Sequence, residues 1–172
     1  MKGIAYTLLI VVASSLVLGP IFEVFHIFAE KSRIDSSINN CGRLAAMMSA
    51  DDGRAADMEV VVDIGKFVEN FNQSFAQSLG LKLKDTSIDV SLPDQKVGYS
   101  LFEPDSGSET ERYNDFSVTF SVSNNKADTC DVSVKTRYVF KTSQLKFVED
   151  NVPGFANVEL DRKSRFVIDM VN

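Results

Sequence analysis

The feature that most constrains this chain is its start: from Ile4 to Phe22 no residue carries a charge. A helix of about 20 residues, rising about 1.5 Å each, matches the hydrocarbon thickness of a bilayer. A secretory signal would have a shorter apolar run, of about 7–15 residues, ending at a small-residue cleavage site. Lys2 supplies a basic start and Ala13-Ser14-Ser15 could mimic the site, but Leu16, Val17, Leu18, Ile21, Phe22, Val24, Phe25, Ile27 and Phe28 carry the run on. The expectation is a retained spanning helix.

Lys2 precedes the span, and Lys31 and Arg33 follow it, so the flanking cations are nearly balanced. The long acidic body is easier to place outside, which puts the N-terminus in the cytoplasm. Within the run, Gly19-Pro20 predicts a kink or a locally melted turn, because proline cannot donate a backbone hydrogen bond and crowds the preceding turn. Glu23 and His26, three residues apart, share a helix face. They either sit at the membrane interface or pair, with each other or with another subunit.

The helical period then continues. Ile34, Ile38, Cys41, Ala45 and Met48 recur at three- and four-residue steps with polar residues between. One helix from near Tyr6 to near Ser49 follows, about 65 Å long, closed by Asp51-Asp52-Gly53. A second helix is expected from about Ala55 to Leu79, with an apolar stripe of Val61, Ile64, Val68, Phe71, Phe75 and Leu79 and a cap at Gly80. Phe67, Phe71 and Phe75 read as core.

Beyond it the period becomes two. "TSIDVSL" and "KVGYSLF" form a hairpin, "EPDSGSETER" a polar loop, "FSVTFSVS" and "CDVSVKTRYVF" a second pair, and "SRFVIDMV" a last strand after Pro153-Gly154. The fold class is α+β: a long N-terminal helix, transmembrane then amphipathic, a second helix, and an antiparallel sheet of about five strands covered on one face. Residues 1–53 form the transmembrane and assembly helix, and residues 54–172 an extracytoplasmic globular domain.

Little in the chain suggests chemistry. A net charge of −6 gives no basic footprint for nucleic acid and opposes docking on anionic lipid. With one histidine and no GxSxG, phosphate-binding glycine loop or HExxH, no enzyme, cofactor or structural metal is expected. Glu103, Asp105, Glu109 and Glu111 share one loop, a weak calcium candidate that lacks the Asp-x-Asp-x-Asp-Gly order. Cys41 and Cys130 are either two separate buried thiols or a bridge, which over a loop of about 90 residues would contribute about 4 kcal/mol.

A helix that is transmembrane in its first half and amphipathic in its second, followed by a small sheet, resembles the plan of type IV pilin-like subunits, in which a proline near Pro20 is also typical. "FHIFAEKSRIDSSINNCGRLAAMMSADDG" is similar to the stretch after the span in TadE-like pseudopilins. There, aromatic residues and an Ile/Leu-Asp pair (Ile34-Asp35) lead into a helix carrying Arg-x-Ala (Arg43, Ala45). "VSVKTRYVFKTSQLKF…VELDRKSRFVIDMV" resembles that family's closing module, a Val-rich strand ending in Tyr, a loop around Pro and a last strand. The resemblance covers about half of the chain.

It implies a pilin, minor pilin or pseudopilin. Such a subunit is held first in the cytoplasmic membrane, then polymerises with itself and with other pilin-like subunits into an extracellular filament. The alternatives are a single-pass anchored binding protein or a secretion-system accessory subunit that is never extracted. Gly3 fits a prepilin-peptidase cut site, but no conventional leader precedes it. The fifth residue after it is Leu8, where the family has a Glu that pairs with a neighbour's terminal amine. Ile10, Val17 and Val24 at heptad spacing, extended by Phe28, form the candidate assembly face, with Gly19, Pro20, Glu23 and His26 beside it. Glu23 is expected to pair with Lys2 or the terminal amine of a neighbour, or with His26.

Overall fold

A computed structural model describes residues 2–49, 63–88, 96–123, 129–152 and 158–167. Helix α1 (Lys2–Met48) runs 47 residues without interruption, about 70 Å at 1.5 Å per residue. It stays helical through Pro20, so the expected melted turn does not form. From Gly3 to Leu18 every side chain is exposed. Beyond that, one stripe turns inward at three- and four-residue steps: Glu23, Ile27, Glu30, Ile34, Ile38, Cys41 and Ala45 are all buried. The second half of α1 is therefore part of the wall of the globular head.

Helix α2 (Ile64–Leu79) begins where Asp63 accepts hydrogen bonds from the amides of Gly65 (2.9 Å) and Lys66 (3.2 Å). This side-chain cap satisfies two of the amides left over at a helix start. The helix ends at Gly80, in the left-handed region (φ 63°) that glycine adopts without strain. The described helix thus starts nine residues after the expected Ala55, and residues 55–62, with Val61, lie outside the described residues.

The five strands are β1 (Leu81–Ile88), β2 (Lys96–Pro104), β3 (Phe116–Ser123), β4 (Thr129–Arg137) and β5 (Glu159–Val167). They form one antiparallel meander in chain order. The α+β class and the strand count agree with the expectation. Strand β1 begins directly after the helix cap, five residues before the expected start. A register shift between Leu83 and Asp85 breaks its alternation there, and all of β1 except Leu81 is exposed, as an edge strand allows. Strand β5 starts earlier than expected because Glu159, Asp161 and Lys163 alternate with Leu160 in a stretch with little apolar signal. The tail of that prediction, residues 168–171, lies outside the described residues, as do the Pro153-Gly154 turn and residues 89–92 of the first expected strand.

One short helix was not expected. Helix α3 (Ser143–Asn151) buries none of its side chains, so it leaves no apolar period to read.

The core lies between the two long helices and one face of the sheet. Phe67, Phe71 and Phe75 of α2 project as a row onto Phe102, Phe116 and Phe120. Edge-on contacts include Phe71–Phe120 (5.3 Å) and Phe75–Phe102 (5.6 Å). All six are fully buried, each stabilising by about 1.5–3 kcal/mol relative to exposure. Helix α1 closes on β5 at Gly42, where a Cβ atom would overlap the ring of Phe166. Only glycine permits that approach.

Candidate functional site

The site of interest is where α1 enters the head. Glu23 is 4% exposed. An unpaired buried carboxylate costs several kcal/mol, so its partners decide whether it can stay there. Both oxygens are occupied within the chain. Oε1 accepts from the Tyr138 hydroxyl (3.3 Å) and the Lys141 amide; Oε2 accepts from the Thr142 amide (2.9 Å). Thr142 is the N-cap residue of α3. The carboxylate of one helix therefore closes the start of another, where free amides and the helix dipole favour negative charge. Just N-terminal to it, Gly19 faces the Thr142 methyl, with 3.8 Å from the Cβ position to Cγ2.

The cluster extends along α1. Arg112, in the 3-10 turn Glu109–Arg112, donates through Nη1 to the Tyr138 hydroxyl at 3.2 Å. The Tyr113 ring meets Tyr138 edge-on at 5.2 Å, and the two residues form an isolated antiparallel bridge just outside the strands. Burial raises the Tyr138 hydroxyl above its ordinary pKa, and the Glu23 charge adds to this against the opposing Arg112. Burial, then the Glu30 charge, drive Tyr113 further up. Both phenols stay protonated at neutral pH, and Tyr138 is the donor to Glu23. His26 Nε2 lies 2.6 Å from Glu30 Oε1.

This differs from the sequence expectation at one point. Glu23 does not pair with His26: the imidazole is taken by Glu30, four residues on, while Glu23 turns inward to the head. Within the single chain the Glu23 carboxylate is turned inward and accepts from three groups of its own head. The other proposed assembly residues fall on both sides of this contact. Ile10, Val17, Val24 and Phe28 are exposed, and Gly19 and Pro20 are half-buried.

The bridge between Cys41 and Cys130 does not form; both thiols are free and buried. Cys41 turns to α2 beside Ser78, whose hydroxyl donates to Ser37 at 2.9 Å. Cys130 sits opposite Phe166 in the β4–β5 register, and it is the Phe166 ring that packs on α1 at Gly42. Burial pushes the Cys130 thiol up to about 12. In the acidic loop, Asp105 pairs with Lys82 at 2.6 Å and Glu103 lies 3.9 Å from Lys84. Glu111 is exposed in the 3-10 turn, and the Glu109 side chain lies outside the described set. Among the described residues no three His, Cys, Asp or Glu side chains converge.

Sequence reasoning found Glu23 but missed Tyr138, the Lys141 and Thr142 amides, Arg112, Tyr113 and Glu30. Thr142-Ser143 ahead of "QLKF" is a helix-start signal that could have placed α3. Its contact with a residue 119 positions earlier has no sequence signature. Comparison with known protein families, with curated proteins and with solved structures finds no match.

Proposed function

We propose that this chain is a structural subunit of a type IV pilus-like or Tad-like filament, a pilin, minor pilin or pseudopilin related to the TadE-like group. It is held in the cytoplasmic membrane with its N-terminus inside and polymerises through α1. The observation that carries this reading is the exposed side of α1 beyond the Glu23 contact. Phe22, Phe25 and Phe28 are each about two-thirds exposed, and they follow one another at three-residue steps on the side turned from the head. A simple tether needs apolar surface only across the hydrocarbon. Phe28 lies about 13 Å past Gly19 along the helix, beside the head, where a neighbouring helix would bury it. Such packing matches one patch to a different patch on the next subunit and generates a helical array.

A second reading is favoured by one observation. The Glu23 carboxylate is buried and already accepts three hydrogen bonds inside its own chain, which makes it a poor target for an incoming terminal amine. A subunit lacking that interaction suits an accessory role in which the protein is not extracted from the membrane. Shearing cells without detergent separates the two. A filament subunit appears in the sheared extracellular material, and recovery of all the protein with the membrane would overturn the filament reading in favour of the accessory one.

A further inference from the structure

The shape of the head's lower end carries a second inference, which rests on the membrane-anchored reading of α1. Helix α3 is tied at two points. Its start is fixed to α1 at Gly19 and Glu23, within a turn of where the uncharged run ends. Its later half is fixed to the end of β4, where Arg137 Nη2 meets Glu149 Oε1 at 2.7 Å. The helix therefore lies beneath the head, between α1 and the end of the sheet.

Which side faces down follows from helical geometry. Side chains two positions apart point about 200° from each other on an α-helix. Glu149 points at the sheet, so Phe147 points away from it. Phe147 is 67% exposed, and Val152, just past the helix, is exposed too. Ser143, Gln144 and Asn151 lie on the same side as Phe147, as does Asp150, three residues after it, with Lys146 at the edge. The acidic excess of the body, which opposes a charged lipid surface, is reduced there to one acid, Asp150, flanked by one cation, Lys146.

We propose that the underside of α3 is a membrane foot: before assembly it rests on the headgroup layer of the bilayer that α1 crosses, with Phe147 inserted at the interface. Amphipathic aromatic-bearing helices bind there through a few buried apolar groups. The foot, α1 and the Glu23 contact together fix how the head stands on the membrane.

The chain contains no tryptophan, so single substitutions give clean reporters. Phe147→Trp and, separately, Leu9→Trp are placed in the full chain and reconstituted into phosphatidylcholine vesicles carrying bromine at shallow or deep acyl positions. Leu9 lies about 15 Å along α1 from Gly19. Leu9→Trp emission is expected to be lost to deep bromines. Phe147→Trp emission is expected to shift to the blue and to be lost to shallow bromines. Deep quenching at position 9 with water-like, unquenched emission at position 147 overturns the foot and leaves the anchor intact. Blue-shifted but unquenched emission at position 147 also overturns it, because a protein surface then covers Phe147. A Leu9→Trp that no bromine quenches overturns the anchored reading, and the foot with it.

Discussion

Glu23 is the residue on which the helix–head contact turns. Removing the carboxylate leaves the Lys141 and Thr142 amides without their acceptor and exposes the start of α3, at a cost of about 1–3 kcal/mol for each unmet buried group. Glu23→Ala is therefore expected to abolish hydrogen-exchange protection at those two amides while the β3 and β4 amides keep theirs. Unchanged protection at both would show that the carboxylate does not hold the loop. The cysteines give a second outcome at this scale. Two free thiols per chain are expected under denaturing, non-reducing conditions, and none reactive in the folded protein, since both are buried and Cys130 is raised to about 12. The sequence marked Glu23 as anomalous because a carboxylate next to an apolar run stands out. It could not show the partner, because Tyr138 and Lys141 reach it only through the closed fold.

Among the elements, β5 is the strand whose attachment depends most on charge. Asp131 of β4 is held by Arg165 of β5 at 2.7 and 3.0 Å and by Lys163 at 3.1 Å. The Arg165 hydrogen bonds, helped by Lys163, set its carboxyl below the ordinary carboxylate range against the cost of burial. A depressed folded-state value stabilises the fold above the unfolded value, about pH 3.9, and that contribution is lost as pH falls through the folded value. Wild type should therefore lose urea resistance on acidification below about pH 4 more steeply than Asp131→Asn. Parallel acid limbs would remove the pair from the account. Elements whose residues bury an apolar face were legible from the sequence: the inward stripe of α1 from Ile34 to Ala45 (Met48, expected on it, is exposed), the phenylalanine row of α2, and β3, whose limits match the expected ones. Those that bury little were not. Helix α3 and the first half of β5 are polar, the one held by Glu23 and Arg137 and the other by Lys135 and Asp35, contacts made between different elements.

For the whole molecule, the arrangement is a head gripping the second half of a 47-residue helix and leaving the first half bare. Apolar residues from Ile4 to Leu18 are exposed on every side and need lipid or other helices around them. In the proposed function the same surface serves two states, first in the bilayer and then against neighbouring subunits. A central charge is incompatible with the first state: Leu9→Lys costs about 2.5–3.5 kcal/mol on insertion scales and is expected to prevent membrane insertion. Normal insertion of that variant would contradict a spanning role for α1. The central claim, that α1 assembles with copies of itself, is tested most directly by a photo-cross-linking benzoylphenylalanine at Phe25, on the side turned from the head. Irradiated cells expressing this variant should yield a ladder of self-cross-linked multimers; a product confined to the monomer at every expression level would contradict the claim.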